Sequence, residues 1–497
     1  MAVVAPVWNI IYSLGLLMGI GGSVLFSTLR GESSGNERRS NELFSAAVLG
    51  TALLAGLTWL AVIFFDRQLL LLFGAEETLL PLAQRYVLPI KFIVPSFLFT
   101  QLLSAFLRND GNPGLATKAV LFGGFFNIFG DIFFVFVLDM GIMGAGIATA
   151  MGSVFSLLIM ASHFFSKKCT LRFVWPKGLA GKLKKICVTG FSTFFIDVAM
   201  GILTVLFNRQ ILKYLGTDAL SVYGIIINVS TFVQCCAYSI GQAAQPILSN
   251  NFGAGKGDRI RELQRYTLAT AAAFALVWTA VCMTVPNGFV RVFMAPTDAI
   301  LAIAPGIIRR YALSFLLLPL NIYSTYYFQA LMKPGISLAV SVARGAVISG
   351  ILIFLLPALF GAGAIWFAMP LTELLVTVYV LAMMRRCTAA LPKEGICGPR
   401  PHGRADDALS AMLSVCRSAA GRILPQYPQN RHIFILSAPV APQVDAVHID
   451  VRILAALQRA VAPILNRDIR LLVQLADRGR RHLGIYIYRF MYTNQYF

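Results

Sequence analysis

The stretch Phe106-Leu107-Arg108-Asn109-Asp110-Gly111-Asn112-Pro113-Gly114 separates two apolar runs, 86–107 and 115–138. Much further on, Lys333-Pro334-Gly335 separates 307–331 from 336–357, and the two Pro-Gly pairs lie 221 positions apart. The offset recurs. Gly31 and Gly35 answer Gly253 and Gly257 at 222, Phe73 answers Phe293 at 220, and Gly141 answers Gly361 at 220. Each pair falls at the same point relative to its apolar runs, which is the mark of an internal repeat. Parallel repeats related by an axis along the membrane normal are a transporter architecture, with the substrate held between the halves.

Outward from these anchors, apolar runs of span length continue over the first three quarters of the chain. They lie at 4–29, 43–65, 86–107, 115–138, 141–165, 186–212, 219–249, 267–290, 307–331, 336–357 and 362–384. Each is long enough for a hydrocarbon core of about 30 Å. One such run would fit a signal peptide; a series of them does not. Charged residues make up 13% of the 497 and the mean hydropathy is +0.73, against roughly 25% charged residues in soluble domains. The expected fold is therefore an all-α polytopic membrane protein of about eleven spans. Two parallel-related bundles are expected at 1–165 and 186–384, joined by a basic linker at 166–185 and followed by a tail from 385 to 497.

The net charge of +20 does not indicate nucleic acid, because the basic residues sit in short loops between apolar runs. One set of alternate loops carries Arg30, Arg38 and Arg39, then Arg108 and Lys118, and then Lys256, Arg259, Arg261 and Arg265. The same set includes 166–186, with seven basic residues and no acid, besides Lys333, Arg385 and Arg386. The opposite set holds mainly Arg67, Arg85, Lys213 and Arg291. The positive-inside rule places the first set in the cytoplasm, with the visible N-terminus outside and the C-terminus inside. Eight scattered cysteines and five histidines form no metal-ligand spacing. Within the repeat, span 186–212 has no partner in the first half, so one helix is expected to be lacking before Met1.

The run from Phe106 to Pro113 resembles the loop between the fourth and fifth helices of multidrug and toxic compound extrusion (MATE) transporters. So does its continuation through Asn127-Ile128-Phe129-Gly130-Asp131 and Gly141-Ile142-Met143-Gly144-Ala145. Gln245-Pro246-Ile247 with Asn251-Phe252-Gly253-Ala254-Gly255-Lys256 is similar to the end of the family's eighth helix. Phe328-Gln329-Ala330, Arg344 and Gly361 to Trp366 resemble its tenth to twelfth helices. The resemblance covers residues 1–384. It implies two bundles forming a V, and exchange of cationic or amphipathic compounds for protons or sodium. The family's first helix, which carries an essential aspartate in many members, is expected to be lacking from this sequence. Asp197 lies about one turn before the acidic position of some members.

Ionisable residues inside a span cost roughly 2.5–3.5 kcal/mol on insertion scales and need a partner, water or a task. Asp197, Asp131 and Glu373 are therefore the ion-coupling candidates. Asp197, near the middle of its span, can take up a proton on one side and release it on the other. Asp131 follows Asn127 by one turn on the same helix face, where structural hydrogen bonding is the simpler reading. Glu373 is placed to pair with Arg344 of the preceding span. Asn208, Asn228, Gln245, Gln329 and Arg344 are the candidate substrate-cavity residues, although singly each also fits an interhelical hydrogen bond.

From Arg385 onward the chain holds fifteen arginines to one lysine, against fifteen to eleven before it, and no span-length apolar run. Strands are expected at 432–440 and 469–476, a helix at 448–465 and a hairpin closing onto 483–488. A small cytosolic α/β appendage and an unstructured or artefactual tail both fit. The expected function is a secondary antiporter of the plasma membrane, monomeric, contacting lipid and small organic substrates. No cofactor is expected beyond a coupling proton or sodium ion, and no metal. A lipid-linked precursor flippase, a nonfunctional truncated protein and a membrane-embedded enzyme are the alternatives. The spans carry no HExxH or GxSxG pattern for the last of these.

Overall fold

Apolar residues occur all round most of the helices, leaving no single polar face, and many large ones remain uncovered. Phe64, Phe129, Leu359, Phe360 and Val378 are all exposed, which suits a surface wetted by lipid and not by water. The computed structural model describes residues 5–32, 36–72 and 80–392, with the side chains of 5–7 and 72 left aside. No strand occurs among the described residues. The repeat anchors Gly35 and Phe73, and the strands, helix and hairpin expected in the tail, lie outside them.

The first half contains α1 (Ala5–Glu32), α2 (Glu37–Phe64), α3 (Asp66–Leu72), α4 (Leu80–Lys91), α5 (Val94–Asn109), α6 (Pro113–Ile132) and α7 (Gly141–Ala161). The second contains α8 (Leu179–Tyr214), α9 (Gly216–Gly253), α10 (Gly257–Thr284), α11 (Pro286–Phe293), α12 (Asp298–Ala312), α13 (Leu318–Ala330), α14 (Pro334–Val342), α15 (Ile348–Phe360) and α16 (Ala368–Ala389). Among the described residues, ten stretches are long and apolar enough to cross a membrane. The pair α4–α5, bent by 59°, makes an eleventh. Prolines explain the breaks: Pro89 lies inside α4 and Pro95 opens α5, and each removes a backbone donor. The run read as one span at 307–331 is likewise interrupted between α12 and α13, where Pro319 starts the second piece.

The two halves meet along α1, which packs against both α8 and α9. Glycine permits the approach. A Cβ added to Gly21 would lie 2.2 Å from the Ile186 carbonyl oxygen, and one added to Gly190 2.0 Å from that of Leu17. Small residues that let backbones touch are the usual means of packing helices in lipid.

The basic linker lies along α2. Asn41 donates to the Thr170 carbonyl and accepts from the Arg172 amide. Ser45 accepts from the Val174 amide, and Lys182 meets Glu42 at 2.6 Å. The linker is extended as far as Trp175, and α8 starts at Leu179.

Candidate functional site

Side chains of five helices converge where the halves meet. From the first half come Tyr12 on α1 and Arg108 in the last turn of α5; from the second come Asp197 on α8, Cys235 and Gln242 on α9, and Tyr326 on α13. Tyr12 interacts electrostatically with Asp197, Cys235, Tyr326 and Arg108. Arg108 donates to Gln242 Oε1, and Gln242 Nε2 donates to the Tyr326 hydroxyl at 3.4 Å. Tyr12, Arg108, Asp197 and Gln242 all keep partial exposure although helices of both halves surround them. Tyr238 is the hydroxyl beside Asp197, yet neither Asp197 Oδ2 nor Tyr238 Oη completes a hydrogen bond of normal geometry.

The other two carboxylates have different surroundings. Glu373 is wholly buried and its oxygens are taken: Arg344 Nε donates to one at 2.7 Å and Asn321 Nδ2 to the other at 2.6 Å. Thr377 donates to Asn321 Oδ1 at 3.1 Å. Arg344 sits on a π-helical turn, Ala343–Val347, where the extra residue re-aims the side chain. The pairing expected from sequence is present, and it holds Glu373 as one member of an ion pair. Asp131 is buried one turn beyond Asn127. Asn127 donates to Thr149 Oγ1 at 3.1 Å, and the Tyr86 hydroxyl lies 3.3 Å from the same oxygen.

The polar cavity candidates divide similarly. Gln245 and Asn109 exchange reciprocal amide hydrogen bonds of 3.1 and 3.3 Å across the two halves. Gln329 is fully buried and donates to the Thr189 carbonyl and to Thr193. Asn228 donates back to Gly224 in its own helix. Asn208 is half-buried on α8. In this conformation Gln245 and Gln329 therefore hold helices together, while Asn228 is satisfied within its own helix.

Sequence reading assigned Arg108 to a loop; the structure puts it inside the last turn of α5. It also overlooked a cluster at the end of the first half that carries the basic loops. Asp110 accepts from Thr170 and from His163 Nε2 at 2.8 Å, with Arg30 at 3.4 Å. Asn112 Oδ1 caps α6 by accepting from the Leu115 amide, so its Nδ2 must donate to His163 Nδ1, 3.1 Å away. In this arrangement His163 Nδ1 accepts from Asn112 and Nε2 donates to Asp110. Asp110, His163 and Cys169 bring three ligand-type atoms within 4.8 Å of one another. Both imidazole nitrogens and the carboxylate are already hydrogen-bonded, and Arg30 disfavours a cation, so the cluster reads as a latch for the linker. The only signal in the sequence was a histidine at the end of an apolar span.

Comparison with known proteins agrees with this architecture. The MatE family model matches residues 1–133 and 191–355. The chain belongs to the MATE transporter family. Multidrug export protein MepA of Staphylococcus saprophyticus is 24% identical over 381 residues, covering 76% of this chain and 82% of that protein. MepA of Staphylococcus aureus is 25% identical over 364 residues, covering 73% and 79%. Among solved structures, an outward-facing MATE transporter of the MOP superfamily superposes with a TM-score of 0.73 at 17% identity, over 78% of this chain and 87% of that one. The MATE multidrug transporter DinF-BH, solved as a ligand complex, gives 0.69 at 26% identity, over 77% and 86%. The protein is thus a multi-pass membrane protein of a family of transporters.

Proposed function

We propose that this MATE-family member is a secondary active antiporter, exporting cationic or amphipathic small molecules in exchange for protons or sodium ions. The observation that carries the reading is Asp197. It is an intramembrane carboxylate at the meeting of the halves, with no salt bridge among the described residues and one oxygen left without a hydrogen bond. A carboxylate in that position is available to exchange a coupling ion for a substrate cation. Glu373 is committed to Arg344, and Asp131 lies in a hydrogen-bonded corner of the first half. That the relatives are multidrug export proteins supports a small-molecule substrate.

Transport then requires the contacts between halves to open and re-form. Arg108–Gln242 and Asn109–Gln245 are the bonds that must break, and the α1–α9 crossing is the surface that must part. The proposal takes the basic connections at 30–42, 108–118, 166–186 and 256–265 to be cytoplasmic, a reading their Lys and Arg content supports, and takes the chain to act as a monomer in the plasma membrane. Dye efflux in everted vesicles tests the reading. Asp197→Asn should abolish efflux driven by an imposed proton or sodium gradient, with insertion unchanged. Wild-type rates in that variant would remove Asp197 from the coupling path.

A further inference from the structure

The linker between the halves presents more than charge. From Ser166 to Ile186 it carries seven basic residues and no acid. Lys182 is committed to Glu42 at 2.6 Å. Lys167, Lys168, Arg172, Lys177, Lys184 and Lys185 are all exposed, and none of them has a carboxylate within ion-pair distance among the described residues. Large aromatic rings stand among these cations: Phe165 is 92% exposed, Phe173 57% and Trp175 73%. The Phe173 and Trp175 rings meet edge to face, with centroids 6.5 Å apart.

The backbone that carries these side chains is fixed. The Thr170 amide donates to Asp110 at 3.0 Å, the Arg172 amide to Asn41 at 3.2 Å and the Val174 amide to Ser45 at 2.8 Å. Ser45 lies two turns into α2, about 12 Å from its start, and just inside the apolar run that begins at 43. Phe173 and Trp175 flank Val174, so they stand at the level where the apolar surface of α2 begins. The bland reading is that the basic loop does no more than set the orientation of the chain in the membrane. That accounts for the cations but not for three rings left uncovered around a pinned segment, since ring surface facing water is unfavourable. A membrane–water interface matches both features, because aromatic rings favour the headgroup level and cations favour an anionic surface.

We propose that the segment from Phe165 to Lys185 is a binding surface for anionic phospholipid, its free lysines and Arg172 taking headgroup phosphates while Phe165, Phe173 and Trp175 seat among the glycerol and upper acyl carbons. A guanidinium pairs with phosphate through two parallel hydrogen bonds, and each lysine adds a point charge beside it. The segment is tied to the first half through Asp110, Asn41 and Ser45, so bound lipid anchors that half at the interface. The inference concerns the surrounding membrane and stands whatever the substrate and coupling ion.

The test gives the purified full chain, in detergent, equal amounts of dioleoyl phosphatidylglycerol and dioleoyl phosphatidylcholine and counts bound lipid by native mass spectrometry. Phosphatidylglycerol should be retained about tenfold over phosphatidylcholine, and the triple variant Lys167→Gln, Lys168→Gln, Arg172→Gln should lower that ratio to about twofold. A second triple variant, Arg265→Gln, Arg385→Gln, Arg386→Gln, removes the same charge from exposed positions elsewhere and should leave the ratio near its wild-type value. Equal losses in the two variants would show attraction by net charge alone and overturn the surface, as would a wild-type ratio near one. Seating of the rings is measured in vesicles of the same two lipids, with bromine on the acyl chains of one or the other. Brominated phosphatidylglycerol should quench tryptophan fluorescence more than brominated phosphatidylcholine, and Trp175→Phe should abolish the excess. No excess in the wild type, or one unchanged in Trp175→Phe, would overturn the proposal. This second measurement keeps the wild-type charges, so it decides the point even where a triple variant fails to fold.

Discussion

Gly31 and Gly253, 222 positions apart in the chain, face each other's helices at a single crossing of α1 and α9. A Cβ on Gly31 would lie 2.0 Å from the Asn250 carbonyl oxygen, and a Cβ on Gly253 would lie 2.0 Å from that of Thr28. Thr28 and Asn250 are separated by the same 222 positions, so the contact maps onto itself when the halves are exchanged. That reciprocity is what a two-fold relation between repeats requires. Gly31→Val or Gly253→Val must push the two backbones apart, at a cost of about 1–3 kcal/mol in the crossed conformation. The expected outcome is a lower unfolding temperature in detergent for either variant and little further loss in the double variant, because one displacement relieves both clashes. Additive losses would show that the two glycines act at separate contacts.

The Arg344–Glu373 pair is a second place where packing sets a measurable cost. Both side chains are buried, and the carboxylate is also bonded to Asn321. Removing one partner leaves an uncompensated charge, worth about 3–5 kcal/mol. Glu373→Leu or Arg344→Met alone should therefore lower stability sharply. The double replacement by apolar residues of similar volume should recover most of the loss. A thermal-unfolding double-mutant cycle reads the coupling directly, and a coupling near zero would mean that the pair contributes no more than its separate parts.

The spans, the repeat and the Arg344–Glu373 partnership were legible because each leaves a one-dimensional trace: run length, offset, and opposite charges on neighbouring spans. Arg108 was not, since a cation at the end of an apolar run looks the same whether it enters a loop or closes the last turn of a helix. His163 and Asp110 were hidden for a related reason. They lie 53 positions apart, and only the return of α7 beside the α5–α6 turn brings them to 2.8 Å. For the cavity candidates, sequence supplied polar residues in spans but not direction. Gln245 and Gln329 turn into helix contacts, while Gln242, three residues before Gln245 on α9, reaches Arg108.

Outside the spans, Asp66 provides the pH dependence. Its partial burial alone would raise its pKa, but hydrogen bonds from Lys91 and Gln84, at 2.7 and 3.1 Å, outweigh that and hold it below the ordinary value. A depressed carboxylate contributes stability above its unfolded pKa of about 3.9 and loses it as pH falls through the lower folded value. Asp66→Asn should therefore be less stable than wild type at neutral pH. The gap should close as the pH drops below about 4, as followed by chemical denaturation at a series of pH values. A gap that stays constant with pH would show that the loss comes from the Gln84 contact or from packing, not from charge.

The end of the helical bundle yields the last prediction, because the chain remains tied to it after the apolar run ends. The sequence places the last span at 362–384, yet α16 runs to Ala389 and the bonds continue beyond. Arg261 on α10 donates to the Leu391 carbonyl at 2.6 Å and to those of Thr388 and Pro392 at 3.4 Å. Thr388 itself joins Tyr327 at 2.6 Å and Gln264 at 3.0 Å. Leu391 is buried in the hydrophobic cluster that includes Tyr327 and Val380. A chain cut after Met384 loses all of these partners and leaves the Arg261 guanidinium without three acceptors, each unmade bond costing about 1–3 kcal/mol when buried. A chain cut after Pro392 keeps them. Nothing after Pro392 contains an apolar run able to cross a bilayer, so the translocation path needs only what precedes it. The 1–392 truncation should match the full chain in insertion, unfolding temperature and dye efflux, and the 1–384 truncation should unfold several degrees lower. Lost efflux in a well-folded 1–392 protein would show that residues 393–497 take part in transport.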